Sequence, residues 1–245
     1  MLRSAFELLV RPTHPLKLHF YIVTGCTSAN LLLGLLALLA VMAGFPGVAA
    51  WCLLVCVVLD AADGALAKFW NVATPFGAQL DSLADMTSFI VAGSVLAFSW
   101  LAPHVALPLI GAASGLWLLT GAYRLARFNV TAPGPYFTGI PTTFVTAVLS
   151  GTYLIAPHLT PVWGVALVVT LSVLMVSVFP YPKRCQLKKV PIWLWITVAS
   201  GGVVDFHRTL SLVALAYVLS GPLIWVARKY SGRWESTHPP HDPPA

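Results

Sequence analysis

The sequence predicts an all-α fold, a polytopic integral membrane bundle of about eight helices with six to eight true crossings. Three observations carry this expectation. Of the 245 residues, 58% are hydrophobic and only 9% charged, and the mean hydropathy is +0.83, far from that of a soluble domain. Apolar runs of membrane length recur along the chain. The Lys and Arg residues between those runs favour alternate loops.

Residues 1–21 form a basic, partly amphipathic lead-in, with Arg3, Arg11 and Lys17 near Phe6, Leu8 and Leu9. It is expected at the cytoplasmic interface. It is not expected to act as a signal peptide, because Arg11 and Pro12 interrupt a short apolar run. The transmembrane domain is expected over 22–228, with spans at 22–43, 47–68, 78–101, 104–126, 141–157, 161–179, 190–204 and 209–227. The fifth and seventh of these are short. The Pro-rich tail 229–245, ending ESTHPPHDPPA, reads as disordered and cytoplasmic, and its two histidines make no metal site.

Thirteen of the 14 basic residues fall on one side of this threading, and only Arg208 falls on the other. That asymmetry puts both termini in the cytoplasm and the chain in the cytoplasmic membrane. The net charge of +6 is then juxtamembrane, which suits anionic headgroups and gives no reason to invoke nucleic acid. Cys26, Cys52, Cys56 and Cys185 lack metal-like pairing, and Cys52 and Cys56 read as core thiols.

One stretch stands apart. Four of the eight acidic residues lie within the 26 positions from Asp60 to Asp85, in otherwise apolar segments. A carboxylate in a membrane span is costly and points to function. Asp60 and Asp63 stand three apart, followed by Gly64 and Ala67, while Gly77, Asp81 and Asp85 stand four apart in series. Such spacings align residues on one helix face, so two helices are expected, joined by a turn containing Pro75. Facing carboxylates repel unless a cation sits between them, and oxygen-only ligation suits Mg2+ or Mn2+ rather than zinc. An ion path in a nonenzymatic transport protein is the alternative for intramembrane acids.

The stretch resembles the signature of the CDP-alcohol phosphotransferases, D-xx-D-G-xx-A-R, eight residues, then G-xxx-D-xxx-D. Every spacing matches, and the one departure is Lys68, where the family carries Arg. The resemblance implies transfer of a phosphatidyl-type group from a CDP-linked lipid to an alcohol, with release of CMP. Carried over by position, Asp60, Asp63, Asp81 and Asp85 would hold the metal and Asp85 would be the catalytic base. Asp60, Gly64, Ala67, Lys68 and Gly77 would line the CDP-lipid site, joined by Asn30 of the first span, where family members carry a similar Asn. Lysine replaces a planar two-pronged donor with a single mobile charge, so looser phosphate contact is expected at Lys68. Family members are commonly homodimers, and the sequence marks no interface.

Two further pieces, RLARFN at 124–129 and FTGIP at 137–141, resemble elements of membrane-embedded bacterial and archaeal phosphatidylserine synthases, as does LDSLAD at 80–85. The loop that follows RLARFN, with Pro133, Gly134, Pro135, Gly139 and Pro141, is expected to be tight and re-entrant-like. The implied partners are CDP-diacylglycerol and L-serine. Arg124 and Arg127, three apart at the cytoplasmic end of a span, would hold the acceptor carboxylate or a phosphate. The same pair would suit glycerol 3-phosphate or inositol phosphate, so these acceptors stand as alternatives.

Overall fold

The computed structural model describes residues 17–130, 136–177, 179–182 and 220–221. These fall into two compact units. The larger carries α1 (Lys17–Met42), α2 (Pro46–Phe69), α3 (Pro75–Asp85), a wide π-helical turn (Met86–Val91), α4 (Ala92–Leu101), α5 (Leu107–Val130), α6 (Thr142–Ile155) and α7 (Pro161–Val176) up to Met175. The smaller includes a two-stranded antiparallel ribbon, β1 (Tyr136–Thr138) with β2 (Pro180–Pro182).

The first six expected spans each correspond to one helical rod, with α3, the wide turn and α4 forming the third. The spans expected at 190–204 and 209–227 lie outside the described residues apart from 220–221, so the structure gives no count of eight. Most of the lead-in and the whole tail also lie outside them, whereas residues 17–21 belong to α1. Three helices, among the described residues, are long and apolar enough to cross a membrane: Leu18–Met42, Pro46–Phe69 and Pro75–Leu101. The ribbon was not expected. Its second strand carries Pro180 and Pro182, which cannot continue a helix and are tolerated on edge strands.

Two tight turns bring the first three rods together. At the end of α1, the Phe45 N–H donates to the Ala40 carbonyl at 2.8 Å and the Gly44 N–H to that of Val41 at 3.0 Å. Gly44 has φ +82°, the left-handed geometry that a six-residue helix-ending loop needs and that glycine adopts without Cβ strain. The end of α2 repeats the pattern, with Val72 donating to Ala67, Asn71 to Lys68, and Asn71 at φ +53°. The next helix starts at once: Thr74 caps α3 by accepting from the Gly77 N–H at 3.0 Å, and Pro75 occupies the first turn, where its missing N–H costs nothing.

α1 and α2 pack along much of their length, and α6 lies against α2. One apolar cluster of the core, where α1, α2 and α4 cross, is built mainly from small groups: Ala37, Ala40, Ala49, Ala50, Cys52 and Ala92, with Leu53 and Leu96. Small side chains let helix backbones approach closely, which is how helices gain contact where lipid offers no hydrophobic drive between them. Leu32, Leu35, Leu36, Leu39, Trp51, Val55 and Val58 point outward, while Thr27, Asn30, Asp63, Ser88, Arg124 and Thr146 are buried. Apolar outside and polar inside is the pattern expected of a bundle solvated by lipid.

Close approach sets a testable contrast. A Cβ on Gly34 would meet the Ser88 Cα at 2.8 Å, whereas one on Gly115 would meet nothing within 4 Å. Gly34→Ala is expected to destabilise the protein by about 1–3 kcal/mol through overpacking. Gly115→Ala should leave stability unchanged or raise it by up to about 1 kcal/mol. Thermal unfolding of the two variants in detergent micelles checks both signs.

Candidate metal and phosphate site

Carboxylates of the two acidic helices converge as the spacing predicts. Asp60 and Asp63 come from the second half of α2, Asp81 from the middle of α3 and Asp85 from its last position. One carboxylate oxygen from each of Asp60, Asp63 and Asp81 lies within 4.8 Å of the others. Asp85 stands outside that trio but within hydrogen-bonding reach of Asp60. Asp63 is held by Thr27 of α1, whose hydroxyl donates to Oδ2 at 2.7 Å. That bond restrains the carboxylate.

The donor set fits a hard divalent ion. All ligand atoms are oxygens, from carboxylates on two helices. The buried Oδ1 atoms of Asp81 and Asp85 have no hydrogen-bond partner in the protein, an arrangement that buried polar atoms rarely tolerate. At 4.8 Å, two unit negative charges repel by on the order of 3 kcal/mol even at an effective dielectric of about 20. A cation among them removes that cost and satisfies the orphaned oxygens together.

The surrounding positions divide. Asn30 is fully buried, and neither amide atom of its side chain has a partner. Its backbone carbonyl accepts from Ser88 Oγ at 3.0 Å and Cys56 Sγ at 3.5 Å, which ties α1 to α2 and to the wide turn. Gly64 is exposed, and a Cβ there would meet nothing within 4 Å. Gly77 donates to the α3 cap, and Ala67 accepts in the turn after α2, so both also serve the local fold. Lys68 is exposed in the last turn of α2, where its charge also suits the helix C-terminus.

Arg124 is buried on α5, donates to Thr142 Oγ1 at 3.3 Å, and is close enough for its charge to act on Asp85. Arg127 is half-buried, one turn further along α5. Sequence reasoning missed two anchors. Thr142, directly after the FTGIP element, positions Arg124. Ser82, within LDSLAD, donates to Asn129 Oδ1 at 3.1 Å and so joins that element to the RLARFN run. The presence of LDSLAD, RLARFN and FTGIP in one chain was the available signal, but neither spacing nor periodicity pairs them.

Comparison with known proteins agrees with the geometry. The pattern that defines the CDP-alcohol phosphatidyltransferases matches residues 21–179, from the first turns of α1 to beyond α7. The chain belongs to this family. Family membership makes it an enzyme of phosphatidyl transfer, embedded in a membrane. It is 31% identical over 215 residues to the CDP-diacylglycerol–serine O-phosphatidyltransferase of Helicobacter pylori, covering 82% of this chain and 89% of that protein. It is 33% identical over 167 residues to the enzyme of the same name from Bacillus subtilis, covering 66% and 90% respectively. The archaetidylserine synthase of Methanothermobacter thermautotrophicus is 31% identical over 153 residues, covering 61% and 64%.

The cluster predicts a measurable ion. Mn2+ is expected to bind the purified protein in an electron paramagnetic resonance titration, and Asp60→Asn or Asp81→Asn should abolish binding. Thr27→Val keeps the side-chain shape but frees the Asp63 carboxylate, and should weaken Mn2+ binding about 10-fold.

Proposed function

We propose that this chain transfers the phosphatidyl group of CDP-diacylglycerol to the hydroxyl of L-serine, releasing CMP, with Mg2+ or Mn2+ bound by its four aspartates. The carrying observation is the convergence of Asp60, Asp63 and Asp81 at the ends of two apolar helices. The serine assignment is supported by the names of the bacterial and archaeal relatives. Relatives named for both phosphatidylserine and archaetidylserine share the acceptor and differ in the lipid.

In this reading, Asp60, Asp63, Asp81 and Asp85 would hold the ion. When bound, it supplies positive charge against the diphosphate and the departing CMP. Asp85 takes the proton from the serine hydroxyl, whose oxygen then forms the new bond to the lipid phosphorus as the bond to CMP breaks. Arg124 lies near enough to act on Asp85, and its guanidinium suits the serine carboxylate as a planar fork. Thr142 holds that guanidinium in place, and Arg127 adds charge one turn away. Asn30 offers a buried amide with unspent hydrogen bonds to the nucleotide side. The open surface over Gly64 leaves room for the nucleotide, and Lys68 contributes a single phosphate contact. The uneven distribution of Lys and Arg along the sequence supports a site on the cytoplasmic face of the membrane, where the acceptor would arrive from water and the donor from lipid.

CMP release from CDP-diacylglycerol by purified protein tests the reading, with serine, glycerol 3-phosphate, inositol phosphate or no acceptor supplied in parallel. Serine-dependent release is expected, lowered about 10²–10⁴-fold by Asp85→Asn. Release with another acceptor keeps the chemistry and overturns the serine assignment. Arg124→Lys should raise the KM for serine more than that for the donor. Lys68→Arg should lower the KM for CDP-diacylglycerol, because the guanidinium restores a two-pronged phosphate contact.

A further inference from the structure

The wide turn Met86–Val91 begins directly after Asp85. Its closing hydrogen bond runs from the Ala92 N–H to the Thr87 carbonyl, five residues back rather than four. Such a turn holds one residue more than the α-helix and rotates the downstream half of the rod by about 100°. The rotation separates two demands on one rod. Upstream, Asp81 and the neighbouring Asp85 must face α2. Downstream, Ala92, Gly93, Leu96, Ala97, Trp100 and Leu101 are all buried.

Three neighbouring helices grip this turn. Ser88 Oγ donates to the Asn30 carbonyl of α1 at 3.0 Å. Ile90 sits in the space left by Gly121 of α5, where a Cβ would meet its Cγ2 at 2.8 Å. The Phe89 carbonyl accepts twice, from Trp117 Nε1 of α5 at 3.3 Å and from Thr146 Oγ1 of α6 at 3.1 Å. Ser88, Phe89, Ile90, Trp117 and Thr146 are all fully buried. Gly93 makes the indole's approach possible, since a Cβ there would stand 3.2 Å from Trp117 Nε1. Two donors from separate helices on one main-chain oxygen are more than packing requires. They pin the turn at its middle.

We propose that Trp117 and Thr146 are positioning residues: through the Phe89 carbonyl they hold the wide turn that aims Asp81 and Asp85 at Asp60 and Asp63. The proposal rests on the role given to Asp85 above. Neither side chain touches substrate or ion in it. Both act through the backbone of the rod that carries the carboxylates.

The test uses the full-length protein with Trp117→Phe, Thr146→Val and the two combined. Thr146→Ser is the conservative variant that keeps the donor. Trp100→Phe is the matched control, because Trp100 makes a comparable bond to the Pro157 carbonyl at 2.9 Å, at the far end of the same rod. Mn2+ affinity, kcat, KM and Tm are read for each. The double variant is expected to bind Mn2+ about 10-fold more weakly and to lose about 10-fold in kcat, with the KM for CDP-diacylglycerol unchanged. Thr146→Ser should restore both, and Trp100→Phe should lower Tm alone. Wild-type Mn2+ affinity in a folded Thr146→Val or double variant overturns the proposal, as does an equal loss in Trp100→Phe. If wild-type protein binds Mn2+ but releases no CMP with any acceptor, the assigned reaction fails and the Mn2+ series still decides the positioning role. If it binds no Mn2+, the positioning proposal is overturned and CMP release judges the reaction separately.

Discussion

Carboxylates crowded within an apolar helical bundle are the constraint on which the rest of the structure depends. Three of them share a space under 5 Å across, and a fourth reaches one of the three. Like charges at that separation drive the helices apart unless something positive sits among them. Packing must therefore oppose the repulsion whenever the positive partner is absent. The alanine-rich crossing of α1, α2 and α4 does this by letting backbones approach where large side chains would hold them apart. Both inter-helix turns serve the same end. Each closes within a few residues, so α2 and α3 both pack on α1 and bring their carboxylates together.

The family relationship gives this arrangement its chemical meaning. A diphosphate donor is strongly anionic, and a pocket of bare carboxylates would repel it. The same pocket carrying divalent charge would attract it, which is why the proposed ion belongs with the acids. The basic groups then fall into two sets. Lys68 lies exposed in the last turn of α2, and Arg124 lies buried on a different helix, near enough for its charge to act on Asp85. Separate positive groups suit a reaction that brings together two substrates, one anchored in lipid and one from water.

Much of the acidic site was legible in the sequence. Aspartates are rare here, costly in apolar segments and spaced at helical intervals, so their convergence followed from periodicity and electrostatics alone. The supports were much less legible. Thr27 was visible as a polar residue on the first span, but not as the partner of Asp63, 36 positions away. Thr142 and Asn129 sit inside or beside recognisable elements, yet the bonds they make connect helices whose relative rotation no local pattern specifies. The ribbon was missed because two three-residue strands leave no alternation to read.

By itself, the sequence determined the class of fold, the position of the acidic cluster and the chemistry such a cluster suits. Those properties depend on residue type and near-neighbour spacing, and hydrophobicity, helical period and charge express both. Only the tertiary structure decided the wide turn after Asp85. MTSFIV is ordinary as a sequence, with neither a proline nor a glycine to mark a break. The extra residue is held there by hydroxyls, an indole and close-packed glycines drawn from three other helices and the rod itself. A helix adopts a wider turn only when distant partners meet the demands of its backbone. That is a property of how the helices pack, which local sequence cannot encode.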